Sequence, residues 1–252
     1  MIEICAIASG SNGNCYYIGN DEDAVLIDAG ISCRQILLRM NDKGLDPGKV
    51  RAIFISHEHS DHMRGARVLE KKINVPVYIT ARTWNAAYRN LQPAWPRYFD
   101  PGTQIQVGAF TVHAFSKNHD ASEPCSFRIE HQGKNIGVLT DIGEPCNNVT
   151  THLALCDALF LEMNYDEEML MSGSYPWHLK KRIASSMGHL SNAQALNPLR
   201  ENAGTNLKCV FLSHLSAENN TPSLAFETCE PLSSQFEIRL TSRISAADVF
   251  RL

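Results

Sequence analysis

Four metal-binding side chains crowd into one short stretch, Ser56-His57-Glu58-His59-Ser60-Asp61-His62. Neutral imidazoles and a carboxylate are the ligands that a borderline divalent cation such as zinc prefers. His57 and His59 stand two apart, so an extended or tightly turned segment turns both toward one ion. Asp61 and His62, a turn later, are then placed to face a second. The competing reading is a solvated, histidine-rich loop at the start of a helix. The residues just before the cluster favour a site. Arg51 to Ser56 is short, largely apolar and β-branched, the pattern of a buried strand, and such a strand would deliver the histidines to a fixed point.

The rest of the chain supplies the elements that must hold that point. Strands are expected at 2–8, 15–18 and 25–27, broken by the polar turns 9–14 and 20–23. Ser32 is placed to cap a helix through Ile36, Leu37 and Met40 to Gly44, and a second helix is expected over 64–72. Further strands are expected at 77–80, 105–107, 110–115, 126–129, 136–140 and 158–162. Helices at 179–186, 192–200 and 224–229 alternate with strands at 207–213 and 236–241. Strand-rich halves that each close with helices point to two packed sheets with helices outside, so that strand-end loops gather at one edge.

The 252 residues suit one domain spanning 1–252, with no linker, repeat or low-complexity stretch to divide it. A formal net charge of −4 argues against indiscriminate polyanion binding, although metals and a local basic rim can reverse the field at one cleft. No apolar run approaches the roughly 20 residues of a membrane span, and the N-terminus does not read as a signal peptide. Eight scattered cysteines without a Cys-x-x-Cys pair suit reduced thiols, and a cytoplasmic location without a membrane partner is expected.

The motif at 57–62 resembles the signature of the metallo-β-lactamase superfamily, and the resemblance runs over nearly the whole chain. It implies an α+β, four-layer αββα sandwich with a dimetal site at one edge of the sheets. Val25-Leu26-Ile27-Asp28-Ala29-Gly30 is similar to the superfamily's early strand ending in Asp, which implies that Asp28 braces the histidine loop. The resemblance also implies that His119, following the strand that ends at Phe115, completes the first metal position. His113, inside that strand, is expected to pack or to face solvent. Asp141 in Leu139-Thr140-Asp141 resembles the bridging aspartate, and His214 after Val210-Phe211-Leu212-Ser213 would complete the second position. The metal set is thus His57, His59, Asp61, His62, His119, Asp141 and His214, for two divalent ions, zinc or manganese.

Gly188-His189-Leu190-Ser191-Asn192 is similar to a segment of phosphodiesterase branches in which a histidine lies beside the metals. That implies a catalytic role for His189 at the leaving oxygen; a helix-flanking surface histidine is the alternative. The turn Ser9 to Asn14 offers backbone N–H groups and hydroxyls to a phosphate, making Ser11, Asn12 and Asn14 candidate substrate contacts. Together with Asn164 to Leu170, Tyr175-Pro176, Leu179-Lys180, Leu212 to Ser216, Asn219-Asn220 and Pro222, these segments resemble the bacterial WalJ/YycJ family. Membership would imply a 5′-to-3′ exonuclease acting on double-stranded DNA through metal-activated water, oriented by Asp61.

Lys117, Arg64, Arg67, Lys180, Lys181 and Arg182 are candidate rim cations, more simply read as solvated charges. Trp84, Tyr88 and Trp95 are expected to serve core or helix packing rather than to stack on bases. A thioester, lactone or small phosphodiester hydrolase on the same centre is the alternative activity. A diiron redox protein is disfavoured by His59, and a non-catalytic scaffold by the complete ligand set.

Overall fold

The computed structural model describes all 252 residues. β1 (Glu3–Ala8), β2 (Cys15–Gly19) and β3 (Ala24–Ile27) form an antiparallel meander. Helix α1 (Cys33–Asp42) crosses to β4 (Val50–Phe54), and α2 (Ser60–Met63) with α3 (Ala66–Ile73) crosses to β5 (Val77–Ile79). Through α4 (Ala81–Ala86) the chain reaches β6 (Pro96–Tyr98), and β3 to β6 run parallel.

The second sheet repeats that plan. β7 (Gln104–Val107), β8 (Phe110–Ser116), β9 (Cys125–His131) and β10 (Lys134–Leu139) are antiparallel. Helices α5 (Asn147–Ala154), α6 (Glu167–Ser172), α7 (Trp177–Ile183), α8 (Asn192–Asn202) and α9 (Pro222–Cys229) then connect β11 (Ala158–Glu162), β12 (Cys209–Ser213) and β13 (Glu237–Leu240), parallel to β10. The terminal β14 (Phe250–Arg251) returns to the first sheet beside β1, giving two seven-stranded sheets.

Alternation along the strands builds the layers. Val25 and Ile27 of β3 face the gap between the sheets with Tyr16, Phe54, Phe127, Phe160 and Phe211. Ala24 and Leu26 face the other way, under Ile36 and Met40 of α1 and Leu69 of α3. On the far side Leu159, Leu161, Val210 and Leu212 pack under Leu153, Leu199 and Ala225 of the second helical layer. The fold is therefore the expected αββα sandwich. Its central strands are buried on both faces, as their unbroken apolar runs require.

The elements not anticipated are short ones at the periphery: α4, α5, α6, β6 and β14. The helix expected over 64–72 is α3, and a further short helix, α2, precedes it, so His62 sits inside a helical turn. All eight cysteines are free thiols and seven are buried, Cys146 being half-buried. No helix is long and apolar enough to cross a membrane.

Candidate metal centre

The parallel strands of both sheets end at one edge, and each deposits a polar residue there. Asp28 directly follows β3, His57 lies three residues past β4, Asp141 two past β10, and His214 directly follows β12. Asp28, Asp141 and His214 adopt φ values of 61°, 56° and 56°. Such left-handed backbone is uncommon outside glycine, though Asp and His tolerate it better than most side chains. It turns the chain sharply so that the side chain faces the loop edge rather than the sheet. The strain concentrates at the centre, where strand packing on both sides holds it in place.

Asp28 is fully buried and accepts hydrogen bonds from the Ser56 N–H and Oγ–H, both at 2.8 Å. Its Oδ2 also lies 2.7 Å from His62 Nδ1. With Nδ1 donating to that carboxylate, His62 must present Nε2 inward, the tautomer a metal ligand needs. Gly30 secures the same loop by its lack of a side chain, since a Cβ there would lie 1.6 Å from the Asp61 carbonyl oxygen.

Two ligand clusters result. His57, His59 and His119 form one, and Asp61, His62 and His214 the other; in each, the candidate ligand atoms lie within 4.8 Å of one another. Asp141 stands between them. Its Oδ2 is 3.4 Å from His62 Nε2, and its Oδ1 is 4.0 Å from His119 Nε2 and 3.4 Å from His214 Nδ1. His119 donates from Nδ1 to the Gly188 carbonyl oxygen at 2.9 Å, which leaves its Nε2 facing inward.

His119 Nε2, Asp141 Oδ2 and His214 Nε2 are buried and have no hydrogen-bond partner. Buried polar atoms without partners are rare, and here three from three separate loops converge on one point. This donor set, imidazoles and carboxylates with free lone pairs, fits divalent cations.

Sequence reasoning missed Glu162. It ends β11, is fully buried, and accepts from the Ile142 N–H at 2.7 Å and the Leu190 N–H at 3.2 Å. Its Oε1 also meets His214 Nδ1 at 2.9 Å and His189 Nδ1 at 2.7 Å. Glu162 therefore does for His214 and His189 what Asp28 does for His62. A glutamate closing the apolar run Ala158-Leu159-Phe160-Leu161 was the available signal, the same pattern that ends in Asp28. Glu162→Gln keeps the shape but removes the charge that orients both rings. It is expected to lower metal affinity or turnover about 10- to 100-fold, the usual cost of losing such a bracing partner. Titration with a metal-competing chelator checks this; an unchanged affinity together with unchanged turnover would refute the bracing role.

Asn14 corrects an expectation. It is fully buried, not presented to substrate: its Oδ1 accepts from the Gly10 N–H and Tyr16 hydroxyl, and its Nδ2 lies 3.2 Å from His62 Nε2. Ser11 and Asn12 are exposed, and Ser11 lines the cavity at the centre. Two rim cations are also corrected. Lys117 is buried and donates to the Thr140 carbonyl, and Lys180 is buried and donates to the carbonyls of Met171 and Gly173. Arg182 is exposed, pairs with Asp120, and does line the cavity.

The electrostatics already divide the ligands. Burial pushes His57 down and His119 down to about 3, so both stay neutral with lone pairs available. Burial alone would also depress His214, but the Asp141 charge, the Asp61 carboxylate 3.7 Å away and the bond to Glu162 outweigh it and lift His214 from 6.5 to about 10. Burial opposes ionisation of Glu162 as well, yet the nearby His189 and His214 hold it below its ordinary 4.5.

The signs set a pH window for protein stripped of metal. Stabilisation from His214 is complete below its ordinary 6.5 and is lost as pH rises through about 10. Stabilisation from Glu162 is present above 4.5 and lost in acid. Chelator-treated protein should therefore lose thermal stability as pH rises from 6.5 toward 10. Saturating zinc or manganese should flatten that slope, because the ion takes the place of the proton. Thermal melts across this range, with and without metal, check it; parallel curves would refute it.

The ligands open into a cavity of about 470 Å³, lined also by Glu58, Ser60, Ala86, Tyr88, Arg182 and His189. With this geometry in view, known proteins give consistent likenesses. The family described as Beta-lactamase superfamily domain matches residues 23–214. Exodeoxyribonuclease YycJ of Bacillus anthracis is 34% identical over 227 residues, covering 89% of this chain and 86% of that protein. Exodeoxyribonuclease WalJ of Streptococcus pneumoniae is likewise 34% identical over 227 residues, covering 88% of this chain and 84% of its own length. The metallo-beta-lactamase fold protein YhfI of Bacillus subtilis superposes over 100% of both chains with a TM-score of 0.74 at 16% identity, a likeness of fold.

Proposed function

This chain belongs to the metallo-β-lactamase superfamily, in the group of the WalJ and YycJ exodeoxyribonucleases, and we propose that it is a metal-dependent exonuclease digesting double-stranded DNA in the 5′-to-3′ direction. As a member of that group it is a hydrolase. The observation that carries phosphodiester chemistry is the Glu162–His189 pair, which sets a charge-supported imidazole at the same cavity as the metal ligands. DNA as substrate is taken from the two relatives.

In this reading His57, His59 and His119 would hold one divalent ion, Asp61, His62 and His214 would hold the other, and Asp141, standing between the two clusters, would serve both. Zinc suits the histidines and manganese the carboxylates. When bound, such ions supply charge neutralisation on the phosphate oxygens and a nucleophilic water at neutral pH. Asp61, whose carboxylate faces His62 and His214, would orient the attacking water. His189, its Nδ1 bonded to Glu162, has Nε2 left to donate a proton to the departing sugar oxygen. Ser11 and Arg182 line the cavity where the phosphate's neighbours would lie.

The test is a duplex labelled at either end, incubated with manganese- or zinc-loaded protein. Stepwise release of nucleotides from the 5′ end, stopped by chelation, is expected. Release from the 3′ end would refute the polarity. Preference for a thioester over DNA would refute the nuclease reading.

A further inference from the structure

One large ring that belongs to none of the candidate ligands lines the metal cavity, and it is held out from the protein. Tyr88 is 73% exposed and lines the metal cavity. Packing was its expected use, and Trp84 does pack against the core. Tyr88 stands apart from every aromatic pairing in the structure.

Its backbone, by contrast, is tightly tied. The Tyr88 carbonyl accepts from the Leu91 N–H at 2.8 Å and the Gln92 N–H at 3.2 Å, closing a turn. The Gln92 side chain donates to the Trp84 carbonyl at 2.9 Å, and Arg67 donates to the carbonyls of Arg89 and Gln92. A fixed backbone with a free ring is a preorganised platform, which loses little entropy when a ligand lands on it. Beyond it the cavity adjoins a second one of about 450 Å³, lined by Arg82, Asn85 and Ser122 and sharing Ala86. The two make a path away from the metal ligands, with an aromatic face, an arginine and small polar groups along it. That is the combination used to hold single-stranded nucleic acid: base on ring, backbone on cation.

Resting on the exonuclease reading, we infer that Tyr88 stacks against the base of a nucleotide at the end of the substrate strand, which is unpaired within the site while the rest of the strand follows the Arg82 path. The outer face of the end base is not covered by a neighbour, and the path beyond the ring has the character that holds single-stranded nucleic acid. The substrate is thus a duplex whose end is opened on the enzyme, and Tyr88 is a specificity-determining residue.

The test compares the parent enzyme with Tyr88→Ala and Tyr88→Phe on end-labelled duplexes. These carry either normal bases or an abasic residue at the first or second nucleotide from the 5′ end. For normal duplex, Tyr88→Ala should raise KM about tenfold, within the usual cost of one lost stacked base, and change kcat much less. Tyr88→Phe should restore the parent KM. An abasic residue at the stacked position should raise the parent's KM by a similar factor and add nothing to that of Tyr88→Ala. An unchanged KM in Tyr88→Ala, or equal penalties from the abasic residue in parent and variant, would overturn the inference. A parent enzyme that digests no duplex would instead overturn the nuclease reading beneath it.

Discussion

Asp141→Ala is expected to lower turnover of DNA by at least about a thousandfold. The charge stabilisation that a bound ion supplies in the transition state is worth several kcal/mol, and each 1.36 kcal/mol is a factor of ten in rate. Asp141 approaches members of both ligand clusters, within 3.4 Å of His62 and His214 and 4.0 Å of His119, so its loss disturbs both. Its carboxylate also offsets the buried positive charge that His62 and His214 tend to carry, so the alanine variant is expected to melt earlier. Asp141→Asn keeps the shape of the side chain and separates the two effects. It should fold, as far-ultraviolet circular dichroism would report, and still lose most activity. A folded Asp141→Asn enzyme with parental turnover would remove Asp141 from the mechanism.

His189→Ala is expected to cost about 10²- to 10⁴-fold on DNA, the range for a lost general acid. The prediction is sharper when two leaving groups are compared. A sugar alkoxide departs poorly without a proton, whereas nitrophenolate departs readily without one. With bis-p-nitrophenyl phosphate the same variant should therefore lose far less. Equal losses on the two substrates would mean that His189 positions the substrate or supports His214 instead of delivering a proton.

Part of this centre was legible from the residues alone, since the strand before His57 marked the 57–62 loop. Asp28, Asp141 and His214 share a local rule, each ending an apolar run, but their roles came from resemblance to the superfamily's motifs. The two-sheet order with helices outside followed from β-branched runs and helical segments, with Ser32 capping α1 as expected and Ser191 capping α8. What escaped has physical reasons. Glu162 obeys the same rule, but a lone Glu at a strand end reads as a solvated terminus until its neighbours in space are known. Asn14 looked like part of a phosphate-binding turn, yet its backbone is tied to Asp61 and Gly30 and its side chain is buried against Gly10 and Tyr16. Lys117 and Lys180 carry charge that composition assigns to the surface; nearby loop carbonyls hold them inside. Helices α4 and α6, six residues each, and α5, eight, are too short to show a clear period.

The proposal is that seven side chains from four loops bind two ions, and elemental analysis of exhaustively dialysed protein measures that directly. The expected result is two equivalents of zinc or manganese per parent chain and close to one each for His119→Ala and His214→Ala, since each variant strips one cluster. Two equivalents retained in both variants, or none in the parent after incubation with either metal, would contradict it.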